Sequence, residues 1–202
     1  NILAAVAVAE SLGLSPESIC KGIEKLESVP GRLERIASKK GIVFVDYAHT
    51  PNALKNVLEA IRTVHKGRII TIMGCGGDRD KSKRPLMGME AAAGSDFVIV
   101  TSDNPRTEDP LSIIRDVENG VREYGFGVFP EALNGKPLMP KSYKIIPERR
   151  QAIQWAVAHI QDDDVLLIAG KGHETYQEIN GVRYPFDDRE VVREALAKIG
   201  AY

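Results

Sequence analysis

Residues 97–110 read FVIVTSDNPRTEDP, an apolar and β-branched run followed directly by a polar loop. A short, continuous apolar run bounded by turn residues predicts a buried strand of a parallel sheet. In open α/β sheets, ligands bind just outside the carboxyl ends of such strands. We therefore expect the loop after residue 100 to lie at a ligand site.

The first half of that loop carries three kinds of polar group within four residues. They are an anion, an amide and a guanidinium, from Asp103, Asn104 and Arg106. Pro105 keeps the intervening backbone out of a helix and stiffens it, so the three groups are displayed together and suit a zwitterionic ligand. A simpler interpretation is a helix-entry turn, in which Asp109 caps a helix that begins at Pro110. That interpretation leaves residues 103–106 unexplained.

Helical and strand patterns alternate on both sides of this stretch. Strands are predicted at 33–37, 42–45, 68–73, 97–100, 145–146 and 165–169, and helices at 51–64, 83–93, 110–123 and 148–160. The first two strands, split by the turn at 39–41, form an antiparallel pair. The alternation predicts an α/β fold with a mostly parallel sheet and helices on both faces. We also expect a ribbon at 178–183, a last helix at 189–199 and an irregular surface loop at 125–142.

Two further helices are predicted before the sheet, at 1–12 and 16–27. Ser15 can cap the second helix, and Pro16 can occupy its first position. The chain begins at Asn1, without a methionine, directly inside an apolar helical pattern. We therefore expect the sequence to be cut from a longer protein.

Composition limits the classes of partner. The 202 residues carry a formal net charge of −1, with basic residues scattered along the chain, so we expect no nucleic acid and no anionic membrane as partner. Cys20 and Cys75 form neither a disulfide framework nor a metal-ligand spacing, which favours the reducing cytoplasm. The apolar run at 2–9 is too short to span a bilayer and lacks the basic flank of a signal peptide.

Three other polar segments follow predicted strands, so the sheet would bring them to the same edge as the loop after residue 100. Residues 74–81 read GCGGDRDK; the glycines let backbone N–H groups approach an anion, and they suit a plain tight turn equally well. Residues 170–174 read GKGHE, which lacks the spacing and the hydroxyl of a magnesium-binding phosphate loop. Residues 46–52 read DYAHTPN, in which Asp46 could bond a ribose and His49 a base or phosphate, or the pair could belong to a capped turn.

Other chemically active side chains show no pattern of their own. No Ser-His-Asp or Cys-His arrangement stands out, and Cys75 would need activation by Arg79 to be a nucleophile. His65 and His159 fall inside helical patterns, and Trp155 most simply belongs to the core. We therefore assign neither a catalytic residue nor a metal ligand.

In order and spacing, six segments resemble the Mur ligase family. They are NILAA (1–5), GRLE (31–34), VDYAHTP (45–51), GCGGDRD (74–80), DNPR (103–106) and GKGHE (170–174). Members of that family have a domain for a UDP-sugar, a central ATPase domain with a phosphate loop, and a Rossmann-like C-terminal domain for the incoming amino acid. The resemblance implies that residues 1–29 are the tail of the central domain and residues 31–202 are the C-terminal domain. We therefore expect the 202 residues alone to be inactive and to bind ATP weakly.

Within the family, the chain most resembles the members that add meso-diaminopimelate to UDP-N-acetylmuramoyl-L-alanyl-D-glutamate, at the expense of ATP and magnesium, in peptidoglycan precursor synthesis. By resemblance, the positions that contact ATP are Asn1, Arg32, Asp46 and His49. The positions that hold diaminopimelate are Arg79, Asp103, Asn104, Arg106, Gly170 and Glu174. The magnesium ligands are expected in the domains outside this chain.

Two alternatives stay open at this point. One is another ligase of the family, lysine-adding or folylpolyglutamate-forming, although lysine offers no distal carboxylate for Arg106. The other is a non-catalytic, Rossmann-like nucleotide-binding module that uses the glycines at 74, 76 and 77 for phosphate.

Overall fold

A computed structural model of the chain describes residues 2–26, 28–130 and 138–202. Two helices come first, α1 (Ile2–Ser11) and α2 (Pro16–Glu24). Ser15 caps α2 by accepting a hydrogen bond from the backbone N–H of Ser18, and Pro16 opens the helix, as predicted. Neither helix contains a buried residue, so their apolar side chains lie on the surface.

Among the described residues, seven strands form one sheet. They are β1 (Glu34–Ile36), β2 (Ile42–Asp46), β3 (Ile69–Met73), β4 (Phe97–Val100), β5 (Gly127–Val128), β6 (Ser142–Ile145) and β7 (Val165–Ala169). Their order across the sheet is β1-β2-β7-β3-β4-β6-β5. Only β1 pairs antiparallel, with β2, and the other pairings are parallel, which confirms the predicted sheet.

Five helices cover the two faces of the sheet. They are α3 (Pro51–Val64), α4 (Lys83–Gly94), α5 (Pro110–Glu123), α6 (Arg149–His159) and α7 (Asp188–Lys198). Successive side chains of a strand point to opposite faces, so Ile70 packs in the core formed with α6 and α7, while Ile69 packs in the core formed with α3, α4 and α5. This arrangement explains why β3 is buried along its whole length and apolar at every position except Thr71. No helix in the described ranges is long and apolar enough to cross a bilayer.

The predicted irregular loop at 125–142 is wrong at its start, where Gly127–Val128 pairs parallel with β6. Just beyond, the backbone N–H of Phe129 donates to the carbonyl of Tyr143 at 2.7 Å, and the Phe129 ring is 1% exposed. Burial of that ring draws the segment to the edge of the sheet. The part of the expected loop at 131–137 lies outside the described residues.

A separate antiparallel ribbon follows the sheet, formed by β8 (Tyr176–Ile179) and β9 (Val182–Pro185). It is longer than the ribbon predicted at 178–183. A parallel bridge between Arg106 and Ile179 joins the ribbon to the loop after β4. The ribbon therefore lies against the segment that the sequence marks as a ligand site.

Two glycines allow the backbones of α4 and α5 to approach closely. A Cβ atom added at Gly120 would lie 1.8 Å from the carbonyl oxygen of Pro85, and one added at Gly88 would lie 2.1 Å from that of Val117. Backbone atoms cannot rotate out of the way, as a flexible side chain can. A larger residue would therefore force the two helices apart.

We expect Gly120→Ala to lower the free energy of unfolding by about 1–3 kcal/mol, the usual cost of an overpacked core. The matched control is Gly22→Ala in α2, where an added Cβ meets nothing within 4 Å and alanine favours the helix. Urea unfolding followed by circular dichroism measures both variants. Equal stability of Gly120→Ala and the unmodified chain would show that the two helices are not packed as described.

Candidate functional site

The carboxyl ends of four neighbouring strands, β2, β7, β3 and β4, meet at one edge of the sheet, as predicted. The loops that follow them enclose a cavity of about 550 Å³. Side chains and glycines from all four loops line it, among them Tyr47, His49, Gly76, Arg79, Asp103, Asn104, Arg106, Gly170, Glu174 and Tyr176. The six positions expected to hold an amino acid therefore border a single space.

Beneath the cavity wall lies Lys171, whose side chain is 0% exposed. Its Nζ atom donates to Asp103 Oδ1 at 3.2 Å, to Asn104 Oδ1 at 3.0 Å and to Glu174 Oε2 at 3.2 Å. Glu174 Oε2 also accepts from Asn104 Nδ2 at 2.9 Å. Three of the expected site residues are thus held by one another and by a buried ammonium.

The ribbon fixes the backbone of the loop after β4. The backbone N–H of Arg106 donates to the carbonyl of Glu178 at 3.0 Å, and the N–H of Asn180 donates to the carbonyl of Arg106 at 2.6 Å. Gln177 Nε2 donates to the carbonyl of Asp103 at 2.6 Å. These bonds hold Arg106 at a φ of 52°, a left-handed conformation that residues other than glycine seldom adopt.

The guanidinium of Arg106 reaches the cavity from this strained position. Its Nη1 donates to the carbonyl of Gly77 at 2.7 Å, and its Nε lies 3.7 Å from Glu178 Oε2. A guanidinium has five N–H donors, so these contacts leave donors for a ligand. Arg79, by contrast, is exposed at the rim, where Nη1 donates to the carbonyl of Asp78 at 3.2 Å.

The glycines after β3 serve the packing of two loops. A Cβ atom at Gly77 would lie 1.9 Å from the carbonyl oxygen of Pro105, and one at Gly74 would lie 2.4 Å from that of Thr101. The N–H of Gly77 already donates to the carbonyl of Asn104 at 2.8 Å. That donor is therefore occupied within the protein, which favours the tight-turn interpretation over a cradle for phosphate.

Glu108 ties the glycine loop to the start of α5. Its Oε1 accepts from Arg84 Nη2 at 2.8 Å and from the backbone N–H of Asp78 at 2.7 Å. The hydrogen bond from Arg84, followed by that from Asp78, lowers the pKa of Glu108 to about 2. Asp109 caps α5 and Pro110 opens it, so the helix-entry interpretation is confirmed for this half of the loop.

On the other side of the cavity lie the residues expected to contact a nucleotide. Arg32 and His49 are both exposed. The guanidinium carbon of Arg32 lies 4.8 Å from the centre of the Tyr47 ring, and the centre of the His49 ring lies 4.5 Å from the same point. Asp46 is only 5% exposed. Its two carboxylate oxygens accept hydrogen bonds from the backbone N–H groups of Leu33 at 2.6 Å and Ala48 at 2.7 Å. Asp46 therefore holds the segment before β1 and the loop after β2 together. Asn1 lies outside the described residues.

The cavity lining includes the half-buried Cys75 and several acidic side chains. Burial, followed by the charge of Asp103, raises the pKa of Cys75 to about 12, which opposes formation of a thiolate. Within the described ranges, no group of three or more His, Cys, Asp and Glu side chains could hold a metal ion.

Sequence reasoning missed two features of this site. The first is Lys171, whose only sequence signal is its place between two glycines at the end of a strand. The contacts of the ribbon, from Gln177 and Glu178, had no local signal, since they join residues more than 70 positions apart.

The chain is similar in sequence to known ligases. A family model described as Mur ligase, glutamate ligase domain matches residues 31–172. The UDP-N-acetylmuramoyl-L-alanyl-D-glutamate--2,6-diaminopimelate ligase of Geobacter metallireducens is 50% identical over 204 residues, which cover 100% of this chain and 40% of that protein. The ligase of the same name from Clostridioides difficile is 44% identical and covers 98% of this chain and 38% of its own length. This chain therefore spans about two fifths of the length of these curated relatives.

Solved structures agree with the sequence matches. A structure of a diaminopimelate ligase of that name superposes with a TM-score of 0.72 at 40% identity, over 98% of this chain and 38% of that one. The UDP-N-acetylmuramate-alanine ligase of Thermotoga maritima superposes with a TM-score of 0.66 at 17% identity, over 98% of this chain and 36% of that one. At that identity, the second likeness concerns the fold alone.

The raised pKa of Cys75 predicts that its thiol is inert. At pH 8 a thiol with a pKa of about 12 is ionised in roughly one molecule in ten thousand, so alkylation should be at least about a hundredfold slower than at an ordinary cysteine. Exposed Cys20 is the internal control. Peptide mass spectrometry after timed alkylation gives both rates, and comparable rates would contradict the described burial of the Cys75 thiol.

Proposed function

We propose, because this chain belongs to the Mur ligase family, that it receives the incoming amino acid in an ATP-dependent, amide-forming ligase. The amino acid is meso-diaminopimelate, and the acceptor is the terminal carboxylate of UDP-N-acetylmuramoyl-L-alanyl-D-glutamate. The observation that carries the proposal is that Arg106, Asp103 and Glu174 line one and the same cavity. Both signs of charge are thereby offered to one ligand.

The proposed reaction sets the requirements for the site. The carboxylate of the acceptor attacks the terminal phosphate of ATP, which gives an acyl phosphate and ADP. The amine of diaminopimelate then attacks the acyl carbon, phosphate leaves, the amine loses a proton, and an amide remains. The part of the ligase that binds diaminopimelate has to hold its non-reacting end firmly, since an oriented amine reacts much faster than a free one.

Diaminopimelate has an ammonium and a carboxylate at that end. A guanidinium binds a carboxylate through two parallel, charge-assisted hydrogen bonds, which is the role we propose for Arg106, with Arg79 at the rim. The carboxylates of Asp103 and Glu174 complement the ammonium, and Asn104 and Gly170 complete the wall. Gly170 has a φ of 117°, and a Cβ atom added there would lie 3.3 Å from Asp103 Oδ2, so a side chain at this position would crowd the carboxylate.

For the nucleotide, we propose contacts from Arg32, Asp46 and His49, with Asn1 as a further contact at the adenine. The exposed cation of Arg32 suits the ATP phosphates. Asp46 has unused lone pairs for a ribose hydroxyl after its two backbone bonds. Magnesium supplies charge neutralisation at the phosphates when bound, and we place its ligands in parts of the ligase outside this chain.

We further propose that residues 1–29 are the tail of the central ATPase domain and residues 31–202 are the C-terminal domain. Two observations support this division. Apolar side chains of the first segment are exposed, with Leu3 at 85% and Leu12 at 74%, as expected if they pack against other parts of the ligase. The chain also spans only 40% of the Geobacter metallireducens relative.

The alternatives receive less support. A lysine-adding ligase would share the fold but would leave Arg106 without a distal carboxylate to bind. A folylpolyglutamate-forming ligase would bring glutamate, which lacks the distal ammonium that Asp103 and Glu174 would meet. A nucleotide-binding module that used the glycines after β3 would need their N–H groups, and that of Gly77 is already bonded to Asn104. Finding a dinucleotide bound at that loop would revive this alternative.

The 202 residues alone should form no amide, because their sequence contains no phosphate loop to hold ATP for acyl-phosphate formation. The measurement is phosphate release and stem-peptide extension by the purified chain with ATP, magnesium, acceptor and diaminopimelate. The full-length ligase that contains this sequence is the positive control. Turnover by the 202 residues would contradict the proposal that acyl-phosphate formation needs parts of the ligase outside this chain.

In the full-length ligase, Arg106→Ala should collapse the preference for diaminopimelate over lysine. Each charge-assisted hydrogen bond contributes roughly 1.5–3 kcal/mol, so losing the pair should lower kcat/KM for diaminopimelate on the order of a hundredfold. Lysine, which lacks the distal carboxylate, should be affected little. Arg106→Lys should rescue little, because an ammonium lacks the two parallel donors.

Arg115→Ala is the matched control, since Arg115 lies on the exposed surface of α5 with 62% of its side chain accessible. Its selectivity ratio should equal that of the unmodified enzyme. An unchanged ratio in Arg106→Ala would transfer the role to Arg79.

A further inference from the structure

We infer that Lys171 is a positioning residue for the amino-acid site: its ammonium holds Asp103, Asn104 and Glu174 in place without touching the ligand. The inference rests on the proposed function and adds to it the group that sets the geometry and the charge of the site. Three contacts of 3.0–3.2 Å join Nζ to the three side chains. All three partners line the cavity, whereas the Lys171 side chain is 0% exposed.

The surroundings of the ammonium are complete without a ligand. Besides its three hydrogen bonds, Nζ lies 5.6 Å from the centre of the Tyr176 ring, within the range of a cation–π contact. An ammonium has three donors, and three acceptors use them. Lys171 therefore acts on a ligand only through the side chains that it holds.

The backbone around Lys171 is built for this inward placement. Gly170 and Gly172 flank it, with φ values of 117° and 55°, in the region that residues with a Cβ seldom adopt. A Cβ atom at Gly172 would lie 2.7 Å from Tyr47 Cβ. The two glycines thus turn the chain at the end of β7 so that the lysine lies beneath the cavity while Glu174 lines it.

Charge explains why a cation is needed at this point. Asp103 and Glu174 both contact the same nitrogen, so they would face each other as two partly buried anions without it. Removing one member of a buried ion cluster leaves uncompensated charge. The carboxylates would then move apart or take up a proton, and either change removes the aligned acceptors for the ammonium of the ligand.

Loss of the Lys171 charge should also change the preference between diaminopimelate and lysine. Where no carboxylate takes up a proton in compensation, the site becomes more negative by one unit, which disfavours an amino acid with a distal carboxylate relative to one without it. Lys171→Met should therefore raise KM for diaminopimelate and reduce its preference over lysine. A residue that merely stabilised the fold would lower the active fraction and leave KM unchanged.

The experiment uses the full-length ligase and compares steady-state kcat and KM for diaminopimelate, lysine and ATP. For Lys171→Met, we expect KM for diaminopimelate to rise on the order of a hundredfold, while KM for ATP stays within about twofold. The control is Lys144→Met, at a lysine of β6 that is 8% exposed and lies 5.5 Å from the centre of the Trp155 ring, with no place in the cavity lining. It should leave both KM values unchanged.

A double-mutant cycle tests the physical contact. Glu174→Gln and Lys171→Met remove opposite charges 3.2 Å apart, so their effects on KM for diaminopimelate should be less than additive. Additive effects, an unchanged KM in Lys171→Met, or an equal rise in Lys144→Met would each overturn the inference. If Lys171→Met is insoluble, Lys171→Gln replaces it, with an intermediate rise in KM as the supporting result and no rise as the contradicting one.

The same experiment separates this inference from the proposed function. A wild-type ligase that joins some other amino acid and not diaminopimelate refutes the proposed substrate. The Lys171 variants are then compared on the amino acid that the enzyme does use. A KM effect there retains the positioning role, and its absence refutes that role as well.

Discussion

Asn104 makes the hydrogen bonds on which the geometry of the site depends, because its side-chain amide and its backbone carbonyl together join the loop after β4 to three other segments: the loop after β7, the ribbon and the loop after β3. Its Oδ1 accepts from Lys171 Nζ and from the backbone N–H of Glu178, both at 3.0 Å, and its Nδ2 donates to Glu174 at 2.9 Å. Its backbone carbonyl accepts from Gly77. At 4% exposure, these groups cannot exchange their partners for water without a cost. Both lone pairs of Oδ1 are used. One hydrogen of Nδ2 is bonded to Glu174, so the other remains for a ligand.

The sheet was predictable because its signals are local. The strands β4 and β7 are apolar throughout, and β3 departs from this only at Thr71. A run of this kind, bounded by turn residues, has to be covered on both faces. Helix starts were also marked, by Ser15 before Pro16 and by Asp109 before Pro110. The strand at Gly127–Val128 was missed because two residues carry no periodic pattern. Its existence depends on β6, which lies more than ten residues further along the chain.

The sequence predicts which loops form the site, but it does not predict which of their side chains face the cavity. Parallel strands place their carboxyl ends together, so the gathering of four polar loops followed from the order of elements. Whether a side chain at a strand end faces the cavity or the protein interior depends on the turn that follows. Lys171 lies inward because of the glycines on either side, and Asp46 lies inward because two backbone N–H groups bind it.

A site that holds both signs of charge before its ligand arrives gives up folding stability. Lys171, Asp103 and Glu174 lose hydration on burial, and their mutual attraction restores only part of that loss. Arg106 adds a left-handed backbone, which costs on the order of 1 kcal/mol outside glycine. In return, the groups that would meet an ammonium and a carboxylate are already aligned, so little side-chain ordering is left for the moment of binding. The hydrogen bonds from the ribbon and from Asn104 offset this strain. We therefore expect ligand selectivity to depend on the buried charges and the left-handed Arg106, which are the features of the site that lower the stability of the fold.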